Sequence, residues 1–473
     1  MYQTLKFKFL IALTMNASVS FANDAAESAQ PAFYETYPST NIDTPIANAG
    51  NEKWWMIFAD PTLDQLITRA EKGNTDIQLA VARLSQARAL LRGAAATQLP
   101  QLTLGGNASK QTGALINAAG GGGALYSLGG NLSYELDVLG RLSKGKKAAR
   151  LDTAAATELV RSARLLIQTD TTQAYFEVRT IDEERAALTD AAANEQSALE
   201  ILEARARNGL VSELDVFQAR GELATINADL LALNRRRAEV EHSLAFLLGE
   251  TPSNLGINGP SIAAPPAIPA DIPSAMLARR ADIAAAERRL GAATLRVGIA
   301  KASWLPELSL TGSRGYASPS LGNLLQSATQ NIGIGFLLSL PFLDGGRRTA
   351  AVKSAKADVE VAAVEYRAQI LTAFRDVENQ LSAVRLLGDQ SSVIAAASAA
   401  NLRAKDITEA RHRNGMISRL AVLEANRTQL QSARDAVQNK FARYVATIGL
   451  IRALGGGWSN ISSPETIGAA RNH

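Results

Sequence analysis

Cysteine is absent from the 473 residues of the chain. This absence excludes disulfides, thiolate zinc sites and cysteine nucleophiles, and we expect no N-terminus anchored through a lipidated cysteine. Aromatic residues make up only 5% of the chain, although hydrophobic residues make up 47%. A shortage of large rings beside abundant alanine is typical of long, closely packed helices and not of a sandwich core.

A large excess of one charge is also missing. The 49 basic and 45 acidic residues leave a net charge of +4, which is too small for the basic surface of a nucleic-acid-binding protein. We therefore expect no nucleic-acid partner. The histidines His242, His412 and His473 show no metal-ligand spacing, and Gly120–Gly123 lacks the lysine of a phosphate loop. We expect no metal, no cofactor and no catalytic residue, and hence no enzyme.

No run of about 18 apolar residues occurs, so no membrane-spanning helix is predicted. Residues 1–22 instead have the pattern of a signal peptide, with Lys6 and Lys8 before the apolar stretch Phe9–Met15 and small residues at Ser20 and Ala22. An ordinary disordered N-terminus is the alternative. If the protein crosses a membrane, it must do so with β-strands.

The chain contains an internal duplication of one unit. QLPQLTL from Gln98 returns as WLPELSL from Trp304, and EARARNGLVSELDV from Glu203 returns as EARHRNGMISRLAV from Glu409. The second pair lies 409 − 203 = 206 residues apart, as do the prolines of the first pair. A duplication without net insertion indicates a rigid tube. The predicted segments are an extended N-terminal segment at 23–59, repeat 1 at 60–260, a proline-rich linker at 261–273, repeat 2 at 274–466 and a tail at 467–473.

Each repeat is predicted to hold a helix, a β-hairpin, a very long helix, a turn and a return helix. Apolar and polar residues alternate from Tyr126 to Asp137 and from Ile332 to Leu340, where Leu337 is an exception. Glycine-rich tips are expected at Ile116–Ala124 and Tyr316–Ser327. The predicted bounds are 99–138 and 305–344 for the hairpins, 141–207 and 347–413 for the long helices, and 212–249 and 418–455 for the return helices.

Long helices of about 67 residues would each measure on the order of 100 Å. Ser212 and Ser418 are positioned to cap the return helices. Four strands cannot close a barrel, and lipid does not tolerate open strand edges, so the strands require neighbours from other copies of the chain. A soluble two-sided sheet is the alternative.

Several motifs, in the same order, resemble the outer membrane factor family, the TolC-like channels of tripartite efflux pumps of the resistance-nodulation-division type. These motifs are SYELDVLGR from Ser133, LARRADIAAAERRL from Leu277, WLPELSLTGS from Trp304, LPFLDGGRR from Leu340 and ALGGGW from Ala453. Ala281 departs from the proline that many such relatives carry. The resemblance implies a mainly α fold with a membrane β-hairpin section, assembled as a homotrimer into a twelve-stranded β-barrel and a coiled-coil α-helical barrel.

The resemblance also implies a place in the outer membrane of a Gram-negative bacterium, with the helical part in the periplasm. Its expected partners are a periplasmic adaptor protein, an inner-membrane pump and outer-membrane lipid. The implied function is a passive exit duct for drugs or other small molecules. Two alternatives stay open, namely the duct of a type I protein-secretion system and a soluble periplasmic coiled-coil scaffold.

Three sets of candidate functional residues follow from the sequence and the resemblance. The helix-turn tips are candidate adaptor contacts, or simply capped hairpins. A charged row near the second tip is a candidate aperture gate, or a solvated helix face, and strand carboxylates are candidates for the lumen. The tips are Arg207, Asn208, Gly209, Leu210, Val211, Ser212, Arg413, Asn414, Gly415, Met416, Ile417 and Ser418; the gate is Arg403, Asp406 and Glu409; the lumen carboxylates are Glu135, Asp137 and Glu307.

Overall fold

The computed structural model describes residues 53–111, 123–252, 256–257, 262–266 and 280–456. The predicted signal peptide, the tail, most of the linker and most of the first glycine-rich tip lie outside the described residues. Trp54–Phe58 forms a 3-10 helix in which both tryptophans are buried. The prediction of extended chain up to residue 59 is therefore wrong at this point, where burial of two large rings stabilises a helical turn.

Helices make up most of the described chain. Helix α1 begins with Pro61, and the Asp60 carboxylate caps it by accepting the backbone N–H of Thr62 at 2.9 Å. The two longest helices have 67 residues each, in the ranges that their proline-free sequences predict. The helices are α1 Pro61–Gly73, α2 Thr75–Ala96, α3 Arg141–Arg207, α4 Glu213–Leu248, α5 Ala281–Ala302, α6 Arg347–Arg413 and α7 Arg419–Ala453.

The strands form one antiparallel sheet in the order β1-β2-β3-β4. The pairs β1–β2 and β3–β4 are the two predicted hairpins, and the pair β2–β3 joins the first repeat to the second. Within the described chain, β1 and β4 are each paired on one side only, so both edges of the sheet are open. The strands are β1 Gln101–Gln111, β2 Gly123–Leu136, β3 Glu307–Ser318 and β4 Gln330–Ser339.

The register gives the sheet one apolar and one polar face, because directly paired residues lie on the same face. Leu132 pairs with Leu102 on one side, and Leu310 pairs with Phe336. The apolar face is exposed in the single chain, and Ile334 keeps 84% of its surface. The opposite face pairs Ser133 with Thr311. The alternation predicted from the sequence is confirmed, including Leu337, which the register places on the polar face.

The second tip is shorter than predicted. Strand β3 continues through Ser318, so the first residues of Tyr316–Ser327 belong to the strand. The correction has a physical cause, since Tyr316 and Ser318 pair with Leu128 and Tyr126 of β2, a long-range contact that local sequence does not show. Two short 3-10 turns, Leu321–Asn323 and Ser327–Thr329, complete the connection to β4.

The chain divides into two compact units that cut across the sequence repeats. Unit 1 contains the sheet and takes Ala82–Glu158 from the first repeat and Asp282–Gln369 from the second. Unit 2 takes its described residues from Ser39–Val81, Leu159–Ala281 and Ile370–His473. Each unit therefore needs both repeats. None of the described helices has the length and apolar character that a membrane span requires.

The core of unit 2 is built on a small aromatic cluster. Phe176 stacks on Tyr444 with ring centroids 4.0 Å apart, and Phe58 packs edge-on against Phe176. The Tyr175 hydroxyl donates to the Asp60 carboxylate at 2.5 Å. Burial, together with this carboxylate, raises the pKa of Tyr175 to about 12. The few aromatic residues of the chain thus anchor the segment that precedes α1.

Candidate functional site

The polar face of the sheet carries two acidic residues at its helix-side end. Glu135 near the end of β2 accepts two hydrogen bonds from Arg141 Nη2, each of 2.7 Å. The same guanidinium lies 3.6 Å from Glu307 at the start of β3. The structure thus brings two of the predicted lumen carboxylates together around one arginine, and sequence reasoning did not single out that arginine.

The third predicted lumen carboxylate, Asp137, caps the N-terminus of α3. Its two oxygens accept the backbone N–H groups of Leu142 at 2.9 Å and Ser143 at 2.7 Å. Burial raises the pKa of Asp137, but the hydrogen bonds from Ser143 and Leu142 and the charge of Arg141 outweigh it and hold the pKa below the usual value. The carboxylate therefore stays ionised while it stabilises the helix N-terminus. We call Glu135, Asp137, Arg141 and Glu307 the first junction.

A second junction connects β4 to α6. Asp344 accepts hydrogen bonds from Arg348 Nε at 2.7 Å, from the Arg348 backbone N–H at 3.0 Å and from Gly346 N at 3.0 Å. The Arg348 guanidinium lies over the Trp304 ring at 4.8 Å and donates to the carbonyls of Ser303 and Pro341. The bonds from Arg348 and Gly346 lower the pKa of Asp344 to about 2.

Sequence reasoning missed the second junction as a site. The available signal was the motif LPFLDGGRR together with a tryptophan upstream. Gly345 and Gly346 have φ of +63° and +88°, a conformation that L side chains rarely adopt. This tight backbone turn directs Asp344 back to the first turn of α6. We call Trp304, Asp344 and Arg348 the second junction.

The first helix-turn tip has the predicted geometry. Gly209 takes φ of +70° after α3, and the N–H of Leu210 donates to the Arg205 carbonyl at 3.0 Å. Ser212 Oγ accepts the N–H of Leu214 at 3.1 Å, so the predicted cap is present. Leu210 is 72% exposed at the turn, which leaves an apolar side chain in solvent.

The second tip repeats the turn but not the cap. Gly415 takes φ of +71°, and Met416 is 69% exposed in the place of Leu210. Ser418 makes no side-chain cap hydrogen bond to the start of α7, so that prediction is wrong. Instead, His412 Nδ1 lies 3.0 Å from the Ile417 carbonyl, where its N–H can donate. The corresponding residue of the first repeat is an alanine, so the imidazole contact belongs to the second tip.

The predicted gate residues lie on α6, near the second tip. Arg403 and Asp406 are exposed, and no ion pair joins them within the described part of the chain. Glu409 faces Lys405, with 3.9 Å between Oε1 and Nζ. The row is therefore largely open to solvent in the single chain. Over the ranges that the structure describes, no group of histidine and acidic residues has the spacing of a metal site.

Comparisons with known proteins agree with this architecture. A family model described as "Outer membrane efflux protein" matches residues 66–250 and again residues 272–456, with the same offset as the sequence repeat. The pyoverdine export outer membrane protein OpmQ of Pseudomonas putida is 31% identical over 435 residues, which cover 89% of this chain and 92% of that protein. The toluene efflux pump outer membrane protein TtgI of P. putida is 32% identical over 471 residues, which cover 96% and 99%.

The solved structures give the same result. The outer membrane protein VceC of Vibrio cholerae has a TM-score of 0.80 against this chain at 28% identity, and the match covers 87% of this chain and 100% of that one. These findings support the fold class and the outer-membrane location that the motifs imply, and they favour efflux over the two alternatives. The chain belongs to the outer membrane efflux protein family and is an outer-membrane efflux channel.

Proposed function

We propose that three copies of this chain assemble into a duct through which small molecules leave the cell passively. The observation that carries the proposal is the four-stranded sheet, with two open edges and one exposed apolar face. Unpaired strand edges in lipid cost several kcal/mol for each unsatisfied group. Pairing β1 of one copy with β4 of the next removes every edge, and three copies supply the strands of a twelve-stranded barrel.

The cargo is proposed to be small molecules without a dedicated binding pocket in the duct. The two relatives compared are named for pyoverdine and for toluene, which differ greatly in size and polarity. Ducts of similar sequence therefore accompany unlike compounds. The partner pump would then select which compounds are exported, and the polar face of the sheet would line a hydrated path along which they diffuse.

The tips are proposed to contact a periplasmic adaptor, and through it an inner-membrane pump. Both tips expose an apolar residue beside basic residues at the end of a long helix, Leu210 with Arg207 and Met416 with Arg413. An apolar centre with a charged rim fits a protein partner. Arg403, Asp406 and Glu409 are proposed to narrow the aperture next to the tips. Arg403 and Asp406 are exposed in the single chain, and the contact of Glu409 with Lys405, at 3.9 Å, is long enough to be exchanged for pairs between copies.

Sedimentation and conductance test the duct. Purified full-length protein should sediment as a trimer and raise the conductance of a planar lipid bilayer in discrete steps. Neutralising the row with Asp406→Asn and Glu409→Gln should increase the time spent in conducting states. A monomer without conductance would contradict the duct, and unchanged gating in the double variant would contradict the role of the row.

Site-specific crosslinking tests the tips, and the absence of native cysteine makes each introduced cysteine unique. Asn208→Cys and Asn414→Cys place a crosslinker on exposed tip residues, whereas Ala89→Cys places it on exposed α2. The tip variants should capture an adaptor that the α2 variant does not capture. Equal capture at all three positions would reject the tips as the contact.

A further inference from the structure

The apolar face of the sheet carries two charged residues in the described strands, and both are basic. Arg314 of β3 pairs with Gly130 and with Ile332, so it shares the face of Ile332. Lys110 lies six residues after Leu104 on β1 and therefore shares the face of Leu104. The acidic strand residues Glu135 and Glu307 lie on the opposite face. A face without carboxylates but with two cations is complementary to anions.

Both basic residues lie on the loop side of an apolar band. Ile332, Ile334, Phe336 and Leu338 form that band along β4, and their exposed fractions range from 66% to 84%. Six residues of strand measure about 20 Å, and an arginine side chain can extend its charge further toward water. Arg314 therefore stands level with the loop-side limit of the band, and Lys110 lies beyond it.

Two tyrosines accompany the charges on the loop side. Tyr316 pairs with Leu128, and Tyr126 pairs with Ala108 and Ser318, all on the apolar face. Tyrosines flanking an apolar band mark the level of lipid headgroups on a membrane β-sheet. Arg314 and Lys110 are both exposed, and neither forms an ion pair within the residues described. Leu104 and Arg314 both pair with Gly130, so Lys110 starts about 20 Å further along the strands than Arg314. The long side chains of Arg314 and Lys110 can extend toward each other, which brings both charges to the headgroup region on the loop side.

We propose that Arg314 and Lys110 bind the phosphate groups of anionic lipids in the leaflet on the loop side of the sheet. The inference rests on the proposed function, since it requires the apolar face to lie in a bilayer. A planar guanidinium can hold two phosphate oxygens at once, and an ammonium adds a point charge. Lipid is the favoured occupant because Arg314 borders an apolar band that a free anion would not cover, and Lys110 lies beyond that band on the same face.

The test equilibrates the purified protein with a mixture of phosphatidylcholine and phosphatidylglycerol in nanodiscs. The measurement is the fraction of phosphatidylglycerol among the lipids that stay bound to the protein, relative to its fraction in the mixture. The wild-type protein should enrich phosphatidylglycerol, and each removed charge should lower that enrichment roughly fivefold. The test variant is Arg314→Gln with Lys110→Gln. The control is Arg88→Gln with Arg92→Gln, which removes the same charge from exposed residues of α2. Arg314→Lys should keep most of the preference that Arg314→Gln loses, and salt near 1 M should weaken the preference in every variant.

Several outcomes separate the possible explanations. The proposal is overturned if the test variant enriches phosphatidylglycerol as strongly as the wild type does. It is also overturned if the control variant loses as much of that enrichment as the test variant. A wild-type protein that binds inorganic phosphate more strongly than the test variant does, but shows no preference for phosphatidylglycerol, overturns the proposal in favour of a free-anion site. Trimer formation and conductance are measured on the same samples. Intact conductance without lipid preference rejects this inference alone, whereas a wild-type protein that neither assembles nor conducts rejects the proposed function.

Discussion

The two junctions occupy equivalent places in the two repeats, between a strand and a 67-residue helix, but they use arginine differently. At the first junction the side chain of Arg141 is 31% exposed and reaches acidic residues of two strands. At the second, the side chain of Arg348 is only 8% exposed, and its partners lie on its own turn and at the end of α5. At the offset of the repeat, Arg141 corresponds to Arg347 and Asp137 to Leu343, so the carboxylate and the arginine of the second junction each stand one residue later than the duplication would place them. The two junctions therefore reach similar helix starts with non-equivalent residues, and the arginine has an electrostatic role in one and a structural role in the other.

The largest effect is expected from Arg348→Ala. The substitution removes the partner of Asp344, the contact with Trp304 and the donors to two carbonyls, so it should lower the free energy of unfolding by about 2–4 kcal/mol. Thermal denaturation at fixed protein concentration measures the loss. Arg347→Ala is the matched control. Arg347 is the neighbour of Arg348 but is exposed, so the loss of its side chain should change the free energy of unfolding little. Equal destabilisation by both variants would contradict a structural role specific to Arg348.

Acid should remove part of the same stabilisation. Asp344 has a pKa of about 2, against an ordinary value of 3.8. Its folded pKa is depressed, so its contribution is complete above about pH 4 and disappears as the pH falls toward 2. The thermal midpoint of Asp344→Asn should therefore lie below that of the wild type at pH 5, and the gap should narrow between pH 4 and pH 2. Parallel curves over that window would contradict the assignment.

The tips offer a smaller contrast. Ser212→Ala removes a formed cap and should destabilise the first turn of α4 by about 1 kcal/mol. Ser418→Ala removes no such bond, so it should cost no more than a few tenths of a kcal/mol. Hydrogen exchange at the amides that follow each serine reports both effects locally. A Ser418→Ala loss as large as that of Ser212→Ala would show that the second tip is capped in the same way.

The sequence predicted those parts of the fold that local patterns determine. A glycine precedes and a glycine follows each long helix, and neither helix contains proline. Period-two alternation marks β2 and β4. The range Arg141–Arg207 follows from these signals alone. The candidate tip residues follow from Asn-Gly turns in the same way, although their role as adaptor contacts stays a prediction.

Other parts could not be predicted because distant residues decide them. The pairing of β2 with β3 joins residues about 180 positions apart and extends β3 into a predicted loop. The missing Ser418 cap and the His412 contact depend on the side-chain geometry of a single turn, which sequence patterns do not show. The burial of Arg348 depends on Trp304, which sequence spacing does not bring near. The carboxylates of the first junction were found, but the arginine between them was not.

A small change in stability, but the sharpest functional contrast between the junctions, is expected from Arg141→Gln. Its ion pairs are partly exposed, so their loss should lower the free energy of unfolding by less than about 1 kcal/mol. On the polar face, however, Glu135 and Glu307 would lose their shared cation, and two uncompensated carboxylates in each copy favour cations in a pore. The reversal potential in a potassium chloride gradient should therefore shift toward cation selectivity. Arg347→Gln, the equivalent change in the second repeat, should shift it less; equal shifts would mean that the carboxylates of the first junction do not face the permeating ions.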